Sequence, residues 1–312
     1  MKYESYNQLH KWKEIMGRLP QHNQIDDTCI PEEVIWDWEG NKIHVDYFRN
    51  PQGQIKLITL HGVGGNGRLL SFIGVPIFKQ GVEVISPDLP GYGISYIPNQ
   101  RISYSMWVKL VNDLINFELG KDDRPIVLFG LSAGGMLAYQ AACMNQKVAG
   151  VIFSNILDQR IPEVIEHSAI HPSIAKIGIK ILKVFSYIWP TFKLPMRLVA
   201  NVGKLVNDEE YLKILTSDKH SAGAIVPVEL IATLVDANPE IEPENFDICP
   251  ALLAHPRDDR WTPVRISRLF FDRLKCPKRI VMLENAGHFP IEQPGLSQLE
   301  DAVMEFIKDI AK

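Results

Sequence analysis

From residue 55 onward, short apolar runs alternate with stretches of helical periodicity, and this rhythm constrains the fold more than any other property of the 312-residue chain. Runs such as IVLF and VAGVIF are too short and too uniformly apolar for surface helices, and they suit parallel strands buried on both faces. Strands are expected at 55–60, 82–86, 126–129, 148–153, 251–255 and 279–283, with helices near 104–119, 135–145, 264–274 and 296–310. Two earlier runs, 34–38 and 43–48, flank the turn-like Glu39-Gly40-Asn41 and read as a hairpin. The pattern predicts an α/β chain with an eight-stranded, mostly parallel sheet covered by helices on both faces. Between 155 and 246 the rhythm breaks into helical or Pro-interrupted sequence with no clear strand, which reads as an inserted helical cap. The expected organisation is an N-terminal extension at 1–32, a core built from 33–154 and 247–312, and the cap at 155–246.

Chemistry concentrates where strands end. Gly130-Leu131-Ser132-Ala133-Gly134 lies directly between the 126–129 strand and an Ala-rich helix. A serine on so sharp a strand-to-helix turn needs small neighbours two positions away on each side, and Gly130 and Gly134 supply them. A Gly-rich turn with an incidental serine is the plainer alternative; the strand and helix on either side favour a nucleophile. Such a hydroxyl requires a base, and the base requires an orienting group. Of nine histidines, His288 is best placed, in the Asn285–Pro290 loop after the last expected strand. Three aspartates are candidates for the orienting group: Asp258 and Asp259, side by side after the 251–255 strand, and Asp158 after the sixth strand.

An oxyanion would need donors, and His61-Gly62-Val63-Gly64-Gly65-Asn66-Gly67, after the third strand, leaves backbone N–H groups open. Those of Val63 and Ala133 form the expected pair. Gly62, Gly64 and Gly67 also fit a G-x-G-x-x-G phosphate loop. That reading is disfavoured, because no acidic residue is suitably placed for a ribose: Glu83 lies within the next strand and Asp88 in a Pro/Gly-rich loop.

Composition narrows the partners. The chain has 33 basic and 37 acidic residues, a net charge of -4, so no global field attracts nucleic acid. Four cysteines stand far apart without metal-ligand or disulfide-dense spacing, which suits a reducing compartment. The polar and charged N-terminus lacks the apolar stretch of a signal peptide, and the most apolar region, 173–189, carries Lys176, Lys180 and Lys183. A cytoplasmic protein without metal or cofactor is expected, acting on a small-molecule acyl substrate and binding no nucleic acid.

Taken together, HGVGG, SPDLPGYGIS, GLSAGG, HPRDDRWTP and NAGHFPIEQP resemble the α/β-hydrolase superfamily, from about Glu33 to the C-terminus. The neighbourhood most similar in look is that of monoacylglycerol lipases, lysophospholipases and proline iminopeptidases. The resemblance implies Ser132 as nucleophile, His288 as base and a carboxylic ester hydrolase acting through an acyl-enzyme. Hydrolysis of an amide, thioester or C–C bond by the same residues is the alternative, and a non-catalytic binding protein is a further one. In that family the acid commonly ends a Gly-x-x-Asp stretch about four residues before a proline. Pro256-Arg257-Asp258-Asp259 with Pro263 then selects Asp259, although Pro256 replaces the glycine.

Within 171–200 five basic residues (Lys176, Lys180, Lys183, Lys193, Arg197) and no acidic one are interleaved with Ile174, Ile177, Ile181, Phe185, Ile188 and Trp189. The favoured reading is a cap helix that packs its apolar face over the site. A helix lying on an anionic membrane surface is the alternative. Met106, Trp107 and Trp261 are further candidates for the pocket wall, with ordinary core as the competing role.

Overall fold

The computed structural model describes residues 4–169 and 175–312. In chain order the elements are α1 (His10–Met16), β1 (Glu32–Trp38), β2 (Asn41–Phe48), β3 (Lys56–Leu60), α2 (Ser71–Lys79), β4 (Glu83–Pro87), α3 (Tyr104–Leu119), β5 (Ile126–Gly130), α4 (Ala133–Met144) and β6 (Val148–Phe153). They continue with α5 (Pro162–Ser168), α6 (Ala175–Ile188), β7 (Lys193–Pro195), α7 (Glu209–Ser217), β8 (Ile225–Pro227), α8 (Val228–Leu234), β9 (Ala251–Pro256), α9 (Val264–Phe271), β10 (Lys278–Leu283) and α10 (Gly295–Ile310). Eight strands form one sheet in the order β1-β2-β4-β3-β5-β6-β9-β10. The β1–β2 and β2–β4 pairs are antiparallel and the rest parallel, as the expected hairpin and crossovers require. Glu39 and Gly40 both take positive φ in the hairpin turn, which suits the twist of the two strands it joins.

Because successive strand residues point to opposite faces, each buried strand feeds two cores. Ile58, Leu128 and Leu253 face α3, α4 and α9, while Leu57, Val127 and Leu252 face α1, α2 and α10. Two elements on the second face escaped the sequence reading. Pro76 lies inside α2, and α1 is only seven residues long, so neither gives a clean helical signal. Within 155–246 the structure adds β7 and β8, paired antiparallel as a three-residue ribbon, where no strand was expected. Each is too short to show alternation and ends in a proline. The four cysteines are buried free thiols, and no described helix is long and apolar enough to cross a membrane.

The tightest packing lies at the start of α4. A Cβ on Gly134 would stand 2.1 Å from the Leu60 carbonyl oxygen, and one on Gly135 only 1.9 Å from that of Asn155. Helix α4 therefore meets the ends of β3 and β6 backbone to backbone. Gly135→Ala should lower stability by roughly 1–3 kcal/mol, the scale of overpacking. Gly178→Ala, in α6 with nothing within 4 Å of the added carbon, should instead raise it by up to about 1 kcal/mol. Urea denaturation midpoints for the two variants decide between these opposite signs.

Candidate active site

Five loops meet beyond the carboxyl ends of β3, β5, β6, β9 and β10, the edge at which sheets of this kind gather ligands. The β5–α4 turn presents Ser132 at φ 57° and ψ -122°, a conformation disfavoured for any residue with a Cβ. Gly130 lets the turn close, since a Cβ there would meet the Gly134 carbonyl at 2.2 Å. Ala133 opens α4, so its N–H has no acceptor within the helix. Gly62 of the β3 loop packs against this turn, with its pro-Cβ position 3.0 Å from Ser132 Cβ. Val63 follows as the second residue of the turn closed by Gly65 N–H to Gly62 O, which leaves the Val63 N–H outside that bond. Both expected donors line the same cavity as Ser132.

His288 and Asp259 also meet there. Nδ1 of His288 lies 2.9 Å from Asp259 Oδ2, and both side chains are buried. Asp259 Oδ1 accepts from the backbone of Trp261 and Thr262, and Oδ2 accepts from Asn155 Nδ2 and Thr262 Oγ1. Burial alone would raise this carboxyl's pKa, but the facing His288 and these bonds outweigh it and hold the pKa below the ordinary aspartate range. An ionised Asp259 requires the imidazole proton on Nδ1. Nε2, buried and without a partner among the described residues, is then left with a free lone pair. The loop is held from outside by Glu292, whose carboxylate takes the N–H groups of Gly287 and Asn207.

The other two aspartates are elsewhere. Asp258 is exposed, and its backbone N–H is bonded to Ala286. Asp158 is buried in a two-pronged pair with Arg160, which also binds Glu242. Asn155 and Thr262 were not recognised from sequence. Their contacts with Asp259 depend on chain folding over a hundred positions and on a local turn, neither of which leaves a motif.

Two further buried groups fix the β3 loop. Leu89 N–H donates to Nε2 of His61, so Nδ1 carries the proton and donates to the Gly62 carbonyl. Burial pushes the His61 pKa down to about 4. Asp88, set aside as a ribose ligand, accepts from the Gly67 and Ile94 backbone and from the Tyr6 hydroxyl, with His44 Nδ1 3.1 Å away. The last glycine of the G-x-G-x-x-G pattern thus donates to a carboxylate of the chain itself. Arg68 beside it binds Asp46 and Glu33, supplying the positive charge where Glu33, His44 and Asp46 converge.

The cavity, about 180 Å³, is walled almost entirely by apolar side chains, among them Leu69, Leu157, Met196, Leu205, Ile231 and Leu234. Trp261 belongs to this wall, its ring 4.7 Å from that of His288. Trp107 is plain core, and Met106 packs against that core. The expectation for α6 needs correction. Ile177, Ile181 and Trp189 are 61%, 64% and 55% exposed and do not line the cavity. Phe185 packs against Trp189 and Phe192 instead. Helix α6 is apolar on two sides, and among its described residues Ile179, from the side opposite Ile177 and Ile181, is the one that reaches the wall. Ile174 and the side chain of Lys176 fall outside the described residues.

Because His61 is neutral in the fold and titrates near 4 rather than 6.5, its contribution to stability is complete above pH 6.5 and is lost as the pH falls through that window. Between pH 7 and about pH 4.5, the wild-type urea midpoint should fall further than that of His61→Gln, which can keep both hydrogen bonds without titrating. Parallel losses would remove His61 as the cause.

Residues 51–293 match a family model described as serine aminopeptidase, S33. An uncharacterized abhydrolase domain-containing protein of Dictyostelium discoideum is 24% identical over 260 residues, and the match covers 80% of this chain but only 26% of that protein. The chain thus spans about a quarter of the length of this relative. Among solved structures, the monoacylglycerol lipase of Paleococcus ferrophilus superposes with a TM-score of 0.70 at 22% identity, covering 86% of this chain and 99% of its own. A soluble variant of the Saccharomyces cerevisiae monoglyceride lipase, bound to a substrate analogue, gives 0.74 at 16% identity over 94% and 100%. The fold is that of these enzymes, and with most of its length matched by the family model the chain belongs to the S33 serine aminopeptidase family of α/β-hydrolases.

Proposed function

We propose that the protein is a serine hydrolase that cleaves a carboxylic ester with an apolar, medium-chain or lipid-derived acyl group. The observation that carries this reading is the buried Asp259–His288 pair, whose free Nε2 borders the same apolar cavity as the Ser132 turn. In this reading Ser132 Oγ attacks the ester carbonyl as its proton passes to Nε2. The resulting oxyanion is held by the Val63 and Ala133 N–H groups, and Asp259 stabilises the imidazolium. Collapse expels the alcohol, which takes the proton from Nε2. A water activated by the same nitrogen then releases the acid. Residues 155–246 act as a cap, supplying Met196, Leu205, Ile231 and Leu234 to the wall.

The family description raises aminopeptidase chemistry, which would need an anionic group to receive the substrate ammonium. Among the described residues no carboxylate lines the cavity, and an unpaired ammonium in such a wall would be strongly disfavoured. That favours an uncharged acyl group. A panel of p-nitrophenyl esters, thioesters and amides separates ester chemistry from amide or thioester hydrolysis.

Ser132→Ala should abolish both turnover and fluorophosphonate labelling while leaving the circular dichroism unchanged. Asp259→Asn should lower kcat by about 10⁴, the scale of a triad aspartate turned into an amide. Asp258→Asn should stay within about twofold of wild type, since exposed substitutions away from a site have small effects. Comparable losses in the two aspartate variants would overturn the assignment of the acid.

Each methylene buried in the wall contributes up to about 0.8 kcal/mol. Four more methylenes therefore raise kcat/KM by about a hundredfold where that binding persists in the transition state. Octanoate should accordingly exceed butyrate and acetate as p-nitrophenyl esters. A maximum at acetate, with a steady fall thereafter, would exclude the lipid-derived acyl group.

A further inference from the structure

The outer face of α6 departs from an ordinary surface. Ile177, Ile181, Val184 and Ile188 recur at i, i+4, i+7 and i+11 and so form one stripe, with exposures of 61%, 64%, 64% and 56%. Tyr187, Trp189 and Phe192 at its C-terminal end are exposed as well. A solvated helix places polar residues on this side, and a contiguous apolar face is characteristic of an interaction surface.

The charges around the stripe indicate the partner. Lys180, Lys193 and Arg197 form no ion pair among the described residues, whereas Lys183 is bound to Asp236 and Glu163 of neighbouring α5 to Arg265. Lys180 thus lies on the helix beside an aliphatic stripe that ends in aromatic rings, and Lys193 and Arg197 follow Phe192 in the chain. Isoleucines can enter the acyl region of a bilayer, aromatic rings suit its headgroup level, and free lysine and arginine meet anionic headgroups. A second copy of the chain fits less well. A two-fold interface sets one patch against itself and would bring the three unpaired cations towards their own counterparts.

We infer that the outer face of α6 docks the protein on a bilayer surface bearing anionic lipids. The opposite face of the same helix carries Ile179 in the cavity wall, so docking sets the cavity about one helix diameter, roughly 10 Å, from the lipid. The inference rests on the ester-hydrolase reading only in giving that surface a source of substrate.

Cosedimentation of the full chain with phosphatidylcholine vesicles, and with vesicles also containing phosphatidylglycerol, tests it. Wild type should bind the anionic vesicles, and added salt should weaken that binding. Ile181→Glu with Ile188→Glu should lower the partition coefficient at least tenfold. Lys180→Gln, Lys193→Gln and Arg197→Gln together should lower it about a hundredfold on anionic vesicles only, about fivefold per charge. Turnover of soluble p-nitrophenyl butyrate should be unchanged in both variants. Equal partitioning of wild type and variants, or no wild-type binding, would overturn the inference. So would a dimer in sedimentation velocity that Ile181→Glu dissociates without any vesicle binding. Fluorophosphonate labelling without vesicles reads Ser132 separately, so its failure beside intact vesicle binding would count against the hydrolase reading and leave the docking face standing.

Discussion

The backbone of Ser132, held at φ 57° and ψ -122°, is the constraint around which the carboxyl edge of the sheet is built. Such a conformation costs on the order of 1–3 kcal/mol and persists only when its surroundings leave no relaxed alternative. Here β5 enters the turn paired on both sides, with Leu60↔Gly130 and Gly130↔Phe153 in register, and α4 leaves it pressed against two carbonyl oxygens. Relaxing the serine would have to move α4 away from β3 and β6, exposing core packed around Leu137, Tyr139 and Ala141. Far more burial is at stake than the strain could release, so the turn holds the hydroxyl at the head of the cavity.

The β3 loop that packs against the Ser132 turn depends on buried charge for its position. Asp88 lies entirely out of solvent, where burial raises a carboxyl pKa. His44 and the Ile94 N–H reverse that effect and hold it below the ordinary range. The anion then fixes Gly67 by an N–H bond while Arg68, next in sequence, is bound to Asp46. Removing one member of such a network leaves an uncompensated buried charge, which is much worse than never having built it. Tyr6 joins from the N-terminal segment, so residues outside the α/β rhythm contribute to the position of the Gly62–Val63 backbone.

What could be read from the sequence follows from the range of the interactions involved. The strands and the α3, α4, α9 and α10 helices declared themselves because burial imposes a period on contiguous residues. Ser132 and His288 could be singled out as candidates because each sits in a short motif whose backbone needs are local. The candidate acid was harder to choose. Asp258 and Asp259 differ by one position, and only the fold of the loop buries one and exposes the other. Asn155 and Thr262, which bond Asp259, left no trace, since a single amide or hydroxyl becomes informative only once its neighbours are known. The β7–β8 ribbon is three residues per strand, below the length at which alternation can be seen.

Helix α6 shows how a correct reading of pattern can still give the wrong orientation. Periodicity identifies an apolar face but does not say what covers it, and this helix has apolar residues on more than one side. Ile179 joins Ile231 and Leu234 of α8 in the cavity wall, which satisfies the packing that holds α6 to the rest of the chain. The stripe from Ile177 to Ile188 is then surplus to folding, and Lys180 keeps the exposed flank charged. Burying an isoleucine side chain is worth about 1.5–3 kcal/mol. Three isoleucines and a valine left more than half exposed on one helix therefore forgo several kcal/mol, a substantial share of the roughly 5–15 kcal/mol by which a domain exceeds unfolding. Packing within the described residues gives no reason for apolar side chains at these four positions, so the docking face proposed for α6 is what would account for them.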